Sequence, residues 1–234
     1  RRRRSADRPS PLLRKEFEVK QGDDIADARL YCSALGIYEI EINGTSVSDD
    51  RLRPGFTAYD HRIQHQTYDV SALLIEGRNT IGITLADGWW RGRVGVFRKP
   101  NNWGTNVAAI ARLEAGHRTL VQSDSTWKAT EGGVRRACLF NGEEFDARLE
   151  PDGWTSTGFD DRAWSAVTVV DGPTRRLLPQ VGPSVRVVER IRAQQVFRTP
   201  SGETVEDFDR NFRNFGNLKR RTQHGTPPLR RGIG

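Results

Sequence analysis

The stretch ARLYCSALGIYEIEINGTSV (28–47) decides the fold class of this chain. Within 28–33 and 36–42, apolar residues alternate with other residues at period two, which is the pattern of a half-buried β-strand. Asn43-Gly44 follows at once, and this dipeptide is the strongest short-range signal for a β-hairpin. The stretch therefore predicts antiparallel strands joined by tight turns.

The same alternation of short apolar runs and turn residues continues in both directions. Further strands are predicted at QHQTYDV (64–70), NTIGITL (79–85), WWRGRVGVF (89–97) and AVTVV (166–170). NVAAIARLEA (106–115) fits a helix or a strand, and the β-like runs after it favour a strand of an antiparallel pair. Strands at intervals of roughly ten residues, without a long amphipathic helix, predict an all-β sandwich or jelly roll.

A segment rich in proline and glycine, GPTRRLLPQVGPS (172–184), predicts a domain boundary near residue 180. We expect a basic tail over 1–11, a β-sandwich domain over 12–178 and a second β unit over 179–234. The second unit resumes β patterning but has too few residues to close a sandwich of its own, so we expect it to be incomplete.

The positive charge of the chain is concentrated at its two ends. The net charge is +7, yet residues 1–15 carry +6, residues 210–234 carry +7, and the body between them carries −6. Charged terminal runs are usually solvated tails, so we expect no nucleic-acid partner; a basic-tailed nucleic-acid binder remains the less favoured alternative.

The chain contains no apolar run long enough to predict a transmembrane helix, so we expect no membrane partner. Its start lacks the apolar core of a secretory signal, which predicts a cytoplasmic location. It contains no methionine, so we expect a processed product or a fragment.

No catalytic motif is present, and no catalytic residue is predicted. His61 and His65 would lie about 13 Å apart on a strand, which argues against a shared metal ion. Neighbouring carboxylates such as Asp49-Asp50 would point to opposite faces of a strand and would not act as a couple. Cys32 is predicted to be a buried free thiol, and a disulfide with Cys138 stays open.

Aromatic residues supply the candidate ligand-binding site. Trp89 and Trp90 stand beside Arg91, and Trp103 lies in a loop-like segment. Flat aromatic faces suit the apolar CH groups of sugars, while charged and amide side chains suit their hydroxyls. Because neighbouring residues on a strand face opposite ways, we expect at least one of the adjacent tryptophans to belong to the core.

Four segments together resemble the amino-terminal domain of bacterial α-L-rhamnosidases. They are ALGIYEIEING (34–44), LRPGFTAYDHRIQHQTYDV (52–70), GRNTIGITLADGWWRGRVG (77–95) and FNGEEFDARLEPDGW (140–154). Their order and spacing match over roughly residues 9–172. The resemblance implies a jelly roll of the galactose-binding type, belonging to a glycoside hydrolase that removes terminal α-L-rhamnose.

The resemblance also implies what this chain does not carry. In the family, catalysis resides in a separate helical (α/α)6 barrel with an acid and a base carboxylate, and the reaction inverts the sugar. We therefore expect an inactive accessory module that requires no cofactor. Beyond Glu206 the sequence departs from the family pattern, and a divergent basic tail follows Leu218.

Some relatives bind rhamnose on such a domain with help from calcium. The resemblance thus makes Asp60 and Asp87 carbohydrate-binding candidates beside the tryptophans and Arg91, and makes Asp60, Asp87 and Asn101–Asn102 possible calcium contributors. Two interpretations remain open. Either the chain binds rhamnose-containing glycosides, or it is purely structural and packs against the missing catalytic barrel.

Overall fold

The structure, a computed structural model, describes residues 8–172 and 176–208. The predicted basic tail therefore lies mostly outside the described residues, as does the divergent end from Asp209 onward. The described chain forms two compact units, the first ending at Val187 and the second beginning at Val188.

The regular secondary structure of the described residues is mostly β-strand, as the alternation predicts. The strands, in chain order, are β1 (Pro11–Val19), β2 (Ala28–Leu35), β3 (Ile37–Ile42), β4 (Thr45–Ser46), β5 (Asp50–Arg51), β6 (Ile63–Asp69), β7 (Gly77–Ala86), β8 (Ala108–Ala115), β9 (Arg118–Gln122), β10 (Lys128–Glu131), β11 (Val134–Cys138), β12 (Gly142–Phe145), β13 (Ser165–Ala166), β14 (Leu177–Pro179), β15 (Val185–Arg186), β16 (Gln195–Arg198) and β17 (Thr204–Asp207).

Among residues 8–172 and 176–208, helical structure is limited to single turns. One α-helical turn, α1, spans Gly88–Arg91, and 3-10 turns lie at Ile25–Asp27, Ser71–Leu73 and Ala147–Leu149. Within the described part of the chain, no helix is long and apolar enough to cross a membrane.

Two sheets form the sandwich of the first unit. One has six strands in the order β13-β10-β1-β7-β3-β4, and the other has five in the order β14-β6-β2-β8-β9. The deciding stretch supplies neighbouring strands to opposite sheets, since β2 pairs with β6 and β8 while β3 pairs with β7. Asn43-Gly44 makes the predicted tight turn into β4, with Asn43 at φ 51° and Gly44 at φ 78°.

The core lies between the two sheets and is formed by the alternate residues of each strand. Ile40, Ile42, Ile81 and Ile83 of one sheet are fully buried, as is Leu113 of the other. Since each strand turns every second residue inward, the period-two pattern of the sequence becomes this single apolar layer.

Cys32 belongs to this core and is a free thiol, as predicted, and Cys138 is free as well. Loss of solvation raises the pKa of the Cys32 thiol to about 12, so that it stays protonated.

The outer face of the six-stranded sheet is covered by the segment 154–164. Arg14 on β1 is fully buried beneath this segment, and its Nε donates to the carbonyl oxygen of Trp154 at 2.8 Å. Arg14 also forms ion pairs with Glu16 and Asp161. Gly82 on β7 leaves space for the ring of Trp154, because a Cβ at this position would come within 2.6 Å of it.

Residues around the predicted domain boundary pair with the first unit. Leu177–Pro179 adds to β6 as a parallel strand, and Val185–Arg186 pairs with β5. The first compact unit reaches Val187. In the second unit the described residues form the hairpin of β16 and β17, in which Gln195 pairs with Asp207.

Candidate functional site

The segment that carries the adjacent tryptophans is a helical turn, so the predicted strand over 89–97 is wrong. The α-helical turn Gly88–Arg91 follows directly after β7, and an isolated bridge between Val94 and Lys99 closes a loop behind it. Asp87 and Arg91 are four residues apart, and their side chains form a buried ion pair with Oδ1 and Nε 2.5 Å apart. This pair holds one turn of helix where sequence alternation suggested an extended chain.

The helical turn changes where the two tryptophans point. Adjacent residues of a helix are separated by about 100° around its axis rather than lying on opposite faces. The Trp89 ring stacks on Phe56, with centroids 5.7 Å apart and an angle of 28°. The Trp90 ring meets Tyr59 edge to face at 5.4 Å. Both tryptophans therefore contact the same short segment, FTAY (56–59).

Trp103 joins this group from the following loop. Its backbone NH donates to the carbonyl oxygen of Trp90 at 3.2 Å, and its ring meets Tyr59 edge to face at 5.4 Å. Tyr59 is thus the centre of an aromatic cluster formed by Phe56, Tyr59, Trp89, Trp90 and Trp103. Burial raises the pKa of Tyr59, and its neutral hydroxyl donates to the carbonyl oxygen of Gly55 at 3.1 Å.

The aromatic cluster has an inner and an outer part. Tyr59, which is 1% exposed, is the inner part, and the half-buried Trp90 packs against it. The Nε1 of Trp90 donates to the carbonyl oxygen of Asn106 at 2.9 Å. A Cβ on Gly104 would come within 2.5 Å of the Trp90 ring, so the backbone lies directly against it. The outer part is the stacked pair Phe56–Trp89, where Phe56 is 54% exposed. We call this pair the aromatic ledge.

The charged candidates, Asp60, Asp87 and Arg91, also divide into exposed and buried residues. Asp60 follows Tyr59 in a turn and is exposed. Asp87 and Arg91 are buried, 4% and 5% exposed, and are paired with each other. The structure thus places Asp60 at the surface, directly after Tyr59 in the chain, whereas Asp87 and Arg91 are buried and paired with each other.

The structure describes no cluster rich in metal-ligating side chains. Among residues 8–172 and 176–208, no group of three or more His, Cys, Asp or Glu side chains could hold a metal ion. Asn101 is half-buried and its backbone NH donates to the carbonyl oxygen of Arg91 at 3.0 Å. Asn102 is exposed, and its Nδ2 donates to the carbonyl oxygen of Lys99 at 2.6 Å.

Sequence reasoning missed Phe56 and Tyr59. The available signal was their position, three residues apart, between the Pro54-Gly55 turn and Asp60. That spacing brings two rings to one side only if the segment is not a strand, and its conformation could not be read from the pattern.

Comparison with known proteins relates this chain to one family. A family model described as the α-L-rhamnosidase N-terminal domain matches residues 23–189. The α-L-rhamnosidase of Streptomyces avermitilis is 40% identical over 205 residues, which covers 86% of this chain and 20% of that protein.

Solved structures agree with this. The native enzyme from Aspergillus terreus aligns with a TM-score of 0.81 and 38% identity, over 88% of this chain and 24% of that one. The Streptomyces avermitilis enzyme in complex with L-rhamnose aligns with a TM-score of 0.81 and 38% identity, over 88% of this chain and 20% of that one. The chain spans about a fifth of the length of these relatives, and it belongs to the family of α-L-rhamnosidase N-terminal domains.

Proposed function

We propose that this chain is an accessory module of an α-L-rhamnosidase and binds terminal L-rhamnose on the aromatic ledge, with Asp60 accepting hydrogen bonds from sugar hydroxyls. One observation carries the proposal: Phe56, half-exposed, is stacked on Trp89 next to the exposed Asp60. A flat apolar surface beside a carboxylate suits a sugar ring, which has apolar CH groups and hydroxyl donors.

The buried part of the cluster supports this role because it fixes the ledge. Tyr59 packs against Phe56, Trp90 and Trp103, so the rings of the ledge rest on a rigid base. A binding surface whose conformation is set before the ligand arrives loses less entropy on binding. The relative from Streptomyces avermitilis was crystallised with L-rhamnose, which supports this choice of sugar.

We assign the hydrolysis step to the part of the parent enzyme that this chain does not span. Inverting hydrolysis needs two carboxyl groups far enough apart to admit a water molecule. In the candidate site, Asp87 is held by Arg91 in the interior and Asp60 is the exposed carboxylate. The module therefore supplies binding and no turnover.

The calcium ligands that we propose are oxygen atoms outside the Asp87–Arg91 ion pair. Calcium takes six to eight oxygens, which can be amide and carbonyl oxygens as well as carboxylates. Asp60, Asn101 and Asn102 would supply such oxygens, and the Asn102 nitrogen is already used by Lys99. Bound calcium would add a positive charge that attracts sugar hydroxyl oxygens.

The test is an L-rhamnose titration of the full chain followed by tryptophan fluorescence. We expect a saturable change, and we expect Phe56→Ala to weaken binding roughly tenfold because half of the ledge is removed. Repeating the titration with a calcium chelator tests the metal separately. Phe145→Ala is the matched control, because Phe145 is 53% exposed on β12 and lies outside the ledge.

If Phe56→Ala binds L-rhamnose as tightly as the unchanged chain, the aromatic ledge is not the binding surface. The absence of any saturable change in folded protein would leave the second candidate, a purely structural module. One observation favours that candidate: Leu139, Phe140 and Phe145 of the β11–β12 hairpin are 39–53% exposed, as in a surface that packs against another domain.

A further inference from the structure

The loop behind the helical turn holds two large apolar side chains in solvent. Val96 and Phe97 are 95% and 94% exposed, although they are neighbours in a hydrogen-bonded turn. The backbone NH of Arg98 closes this turn by donating to the carbonyl oxygen of Gly95 at 3.0 Å. We call Val96–Phe97 the apolar tip. Single exposed apolar residues are common on proteins, but an adjacent pair fixed in a turn indicates a surface that another molecule covers.

The surroundings of the apolar tip are positively charged. Arg98 and Lys99 follow it directly and are exposed, and the half-buried Arg93 precedes it. Residues 88–113 contain no Asp or Glu, so no carboxylate of this stretch offsets these charges. The tip therefore fits an apolar site whose margin is negatively charged.

An apolar cleft of about 980 Å³ lies at one end of the sandwich, where β8 begins. Its wall includes Val169 and Val170, which are 64% and 52% exposed, so part of the apolar lining is open to solvent. Asp124 and Glu131 also line the cleft, and the exposed Asp171 follows Val170 at its margin. The cleft thus combines an apolar wall with carboxylates at its margin.

Cations offset only part of this negative charge. Arg8 lines the cleft, and Arg135 pairs with Glu131 at 2.8 Å. The buried Arg91 also lines the cleft but is paired with Asp87. The carboxylates at the margin therefore outnumber the cations that face them, and the charge of the cleft is opposite to that of the apolar tip.

We propose that two copies of this chain associate by exchanging apolar tips, so that the tip of each copy enters the cleft of the other. Arg98 and Lys99 would then lie beside Asp124 and Asp171. Within one copy the tip is exposed and does not fill the cleft. Because both complementary surfaces belong to one chain, a two-fold pair satisfies both contacts at once. This proposal does not rest on rhamnose binding, since the tip is not part of the aromatic ledge.

The first test measures the association of the full chain by sedimentation velocity over a series of concentrations. We expect a reversible dimer. Phe97→Asp replaces the aromatic ring that the cleft would bury, so we expect association to be weaker by at least about tenfold. Ile75→Asp is the matched control, because Ile75 is 56% exposed and lies outside the tip and the cleft; it is expected to associate like the unchanged chain.

The second test changes the cleft instead of the tip. Val169→Arg adds a positive charge to the cleft wall, which repels the basic turn, so we expect a similar loss of association. Val181→Arg is its control, since Val181 is 93% exposed and does not line the cleft. A mixture of Phe97→Asp and Val169→Arg keeps one intact tip and one intact cleft. We expect this mixture to form a heterodimer, although neither variant associates alone.

All four substitutions replace exposed side chains, and circular dichroism checks that each variant is folded. The proposal is overturned if the folded chain stays monomeric throughout the series. It is also overturned if Phe97→Asp or Val169→Arg associates as tightly as the unchanged chain, or if mixing these two variants gives no heterodimer.

Discussion

Two tryptophan clusters in this chain look alike in sequence and differ in the structure. Around Trp154 the chain reads Asp152-Gly153-Trp154, and around Trp89 it reads Asp87-Gly88-Trp89. Trp154 is 9% exposed and packs on Trp164, with ring centroids 5.9 Å apart, against the outer face of the six-stranded sheet. Trp89 instead stacks on Phe56, which is half-exposed.

The difference comes from where the buried arginine lies. Arg14 is beneath the Trp154 segment and binds it through the carbonyl oxygens of Trp154 and Ser156, so the cluster is closed onto the sheet. Arg91 instead binds Asp87 in its own helical turn, and the Phe56 ring of the ledge is 54% exposed. The buried cation therefore binds the covering segment at one cluster and only its own helical turn at the other.

Removing the buried cation of the closed cluster is expected to have the largest effect. Arg14→Met removes one donor from each of two carboxylates and two carbonyl oxygens, while Gly158 still donates to Glu16 and Lys128 still donates to Asp161. We expect a loss of about 3 kcal/mol in the free energy of unfolding, at the low end for a broken buried pair. Urea unfolding followed by circular dichroism measures this loss. Arg162→Met is the control, since Arg162 is 88% exposed and its pair with Asp160 is a surface pair worth about 0–1 kcal/mol.

The close approach of Trp154 to the sheet gives the next largest effect. Gly82→Ala places a Cβ within 2.6 Å of the Trp154 ring, so the covering segment must shift, and we expect a loss of about 1–3 kcal/mol in urea unfolding. Gly172→Ala meets open space and is expected to be neutral. Equal stability of the two variants would mean that the covering segment contributes little to the fold.

The corresponding change at the ledge is expected to separate binding from stability. Gly104→Ala places a Cβ within 2.5 Å of the Trp90 ring and displaces the base on which the ledge rests. Because this loop is partly exposed, we expect a loss below about 1 kcal/mol in unfolding but clearly weaker L-rhamnose binding. A large loss of stability with unchanged binding would reverse the assignment of the two clusters.

The smallest expected effect is the loss of stability in acid, and we expect it to arise at the Trp154 cluster, where Arg14 pairs with Asp161. Burial raises the pKa of Asp161, but the hydrogen bond from Lys128 and the charge of Arg14 outweigh it and hold the pKa below its ordinary value. The stabilisation is therefore present above the unfolded-state pKa, about 3.9, and is lost as the pH falls through the lower folded-state pKa. As the pH is lowered from neutral to below about 3.9, the temperature of thermal unfolding should fall less steeply for Asp161→Asn than for the unchanged chain. Parallel plots of unfolding temperature against pH would contradict this.

The strands were predictable because their information is local. Alternation in 36–42 and the Asn43-Gly44 turn each depend on a few neighbouring residues, and β3 and its turn lie where they indicate. The strand predicted over 89–97 is wrong because the residues of this run favour strands by local preference. The helical turn forms instead because Asp87 pairs with Arg91 and the tryptophans pack against the 56–59 segment. Tertiary contacts override local preference there.

The residue pattern alone predicts an all-β sandwich and, through four segments in order, a resemblance to the α-L-rhamnosidase amino-terminal domain. It also predicts the tryptophans and Asp60 as candidates for ligand binding. Tertiary contacts bring Phe56 and Tyr59 to the tryptophans, turn Asp87 and Arg91 inward, and leave a cleft at one end of the core formed by the described residues. Strand pairing can be predicted because it follows from the alternation of apolar residues and from turn residues, which are local. The exposure of a side chain depends on which distant segments cover it, and a local pattern does not contain that information.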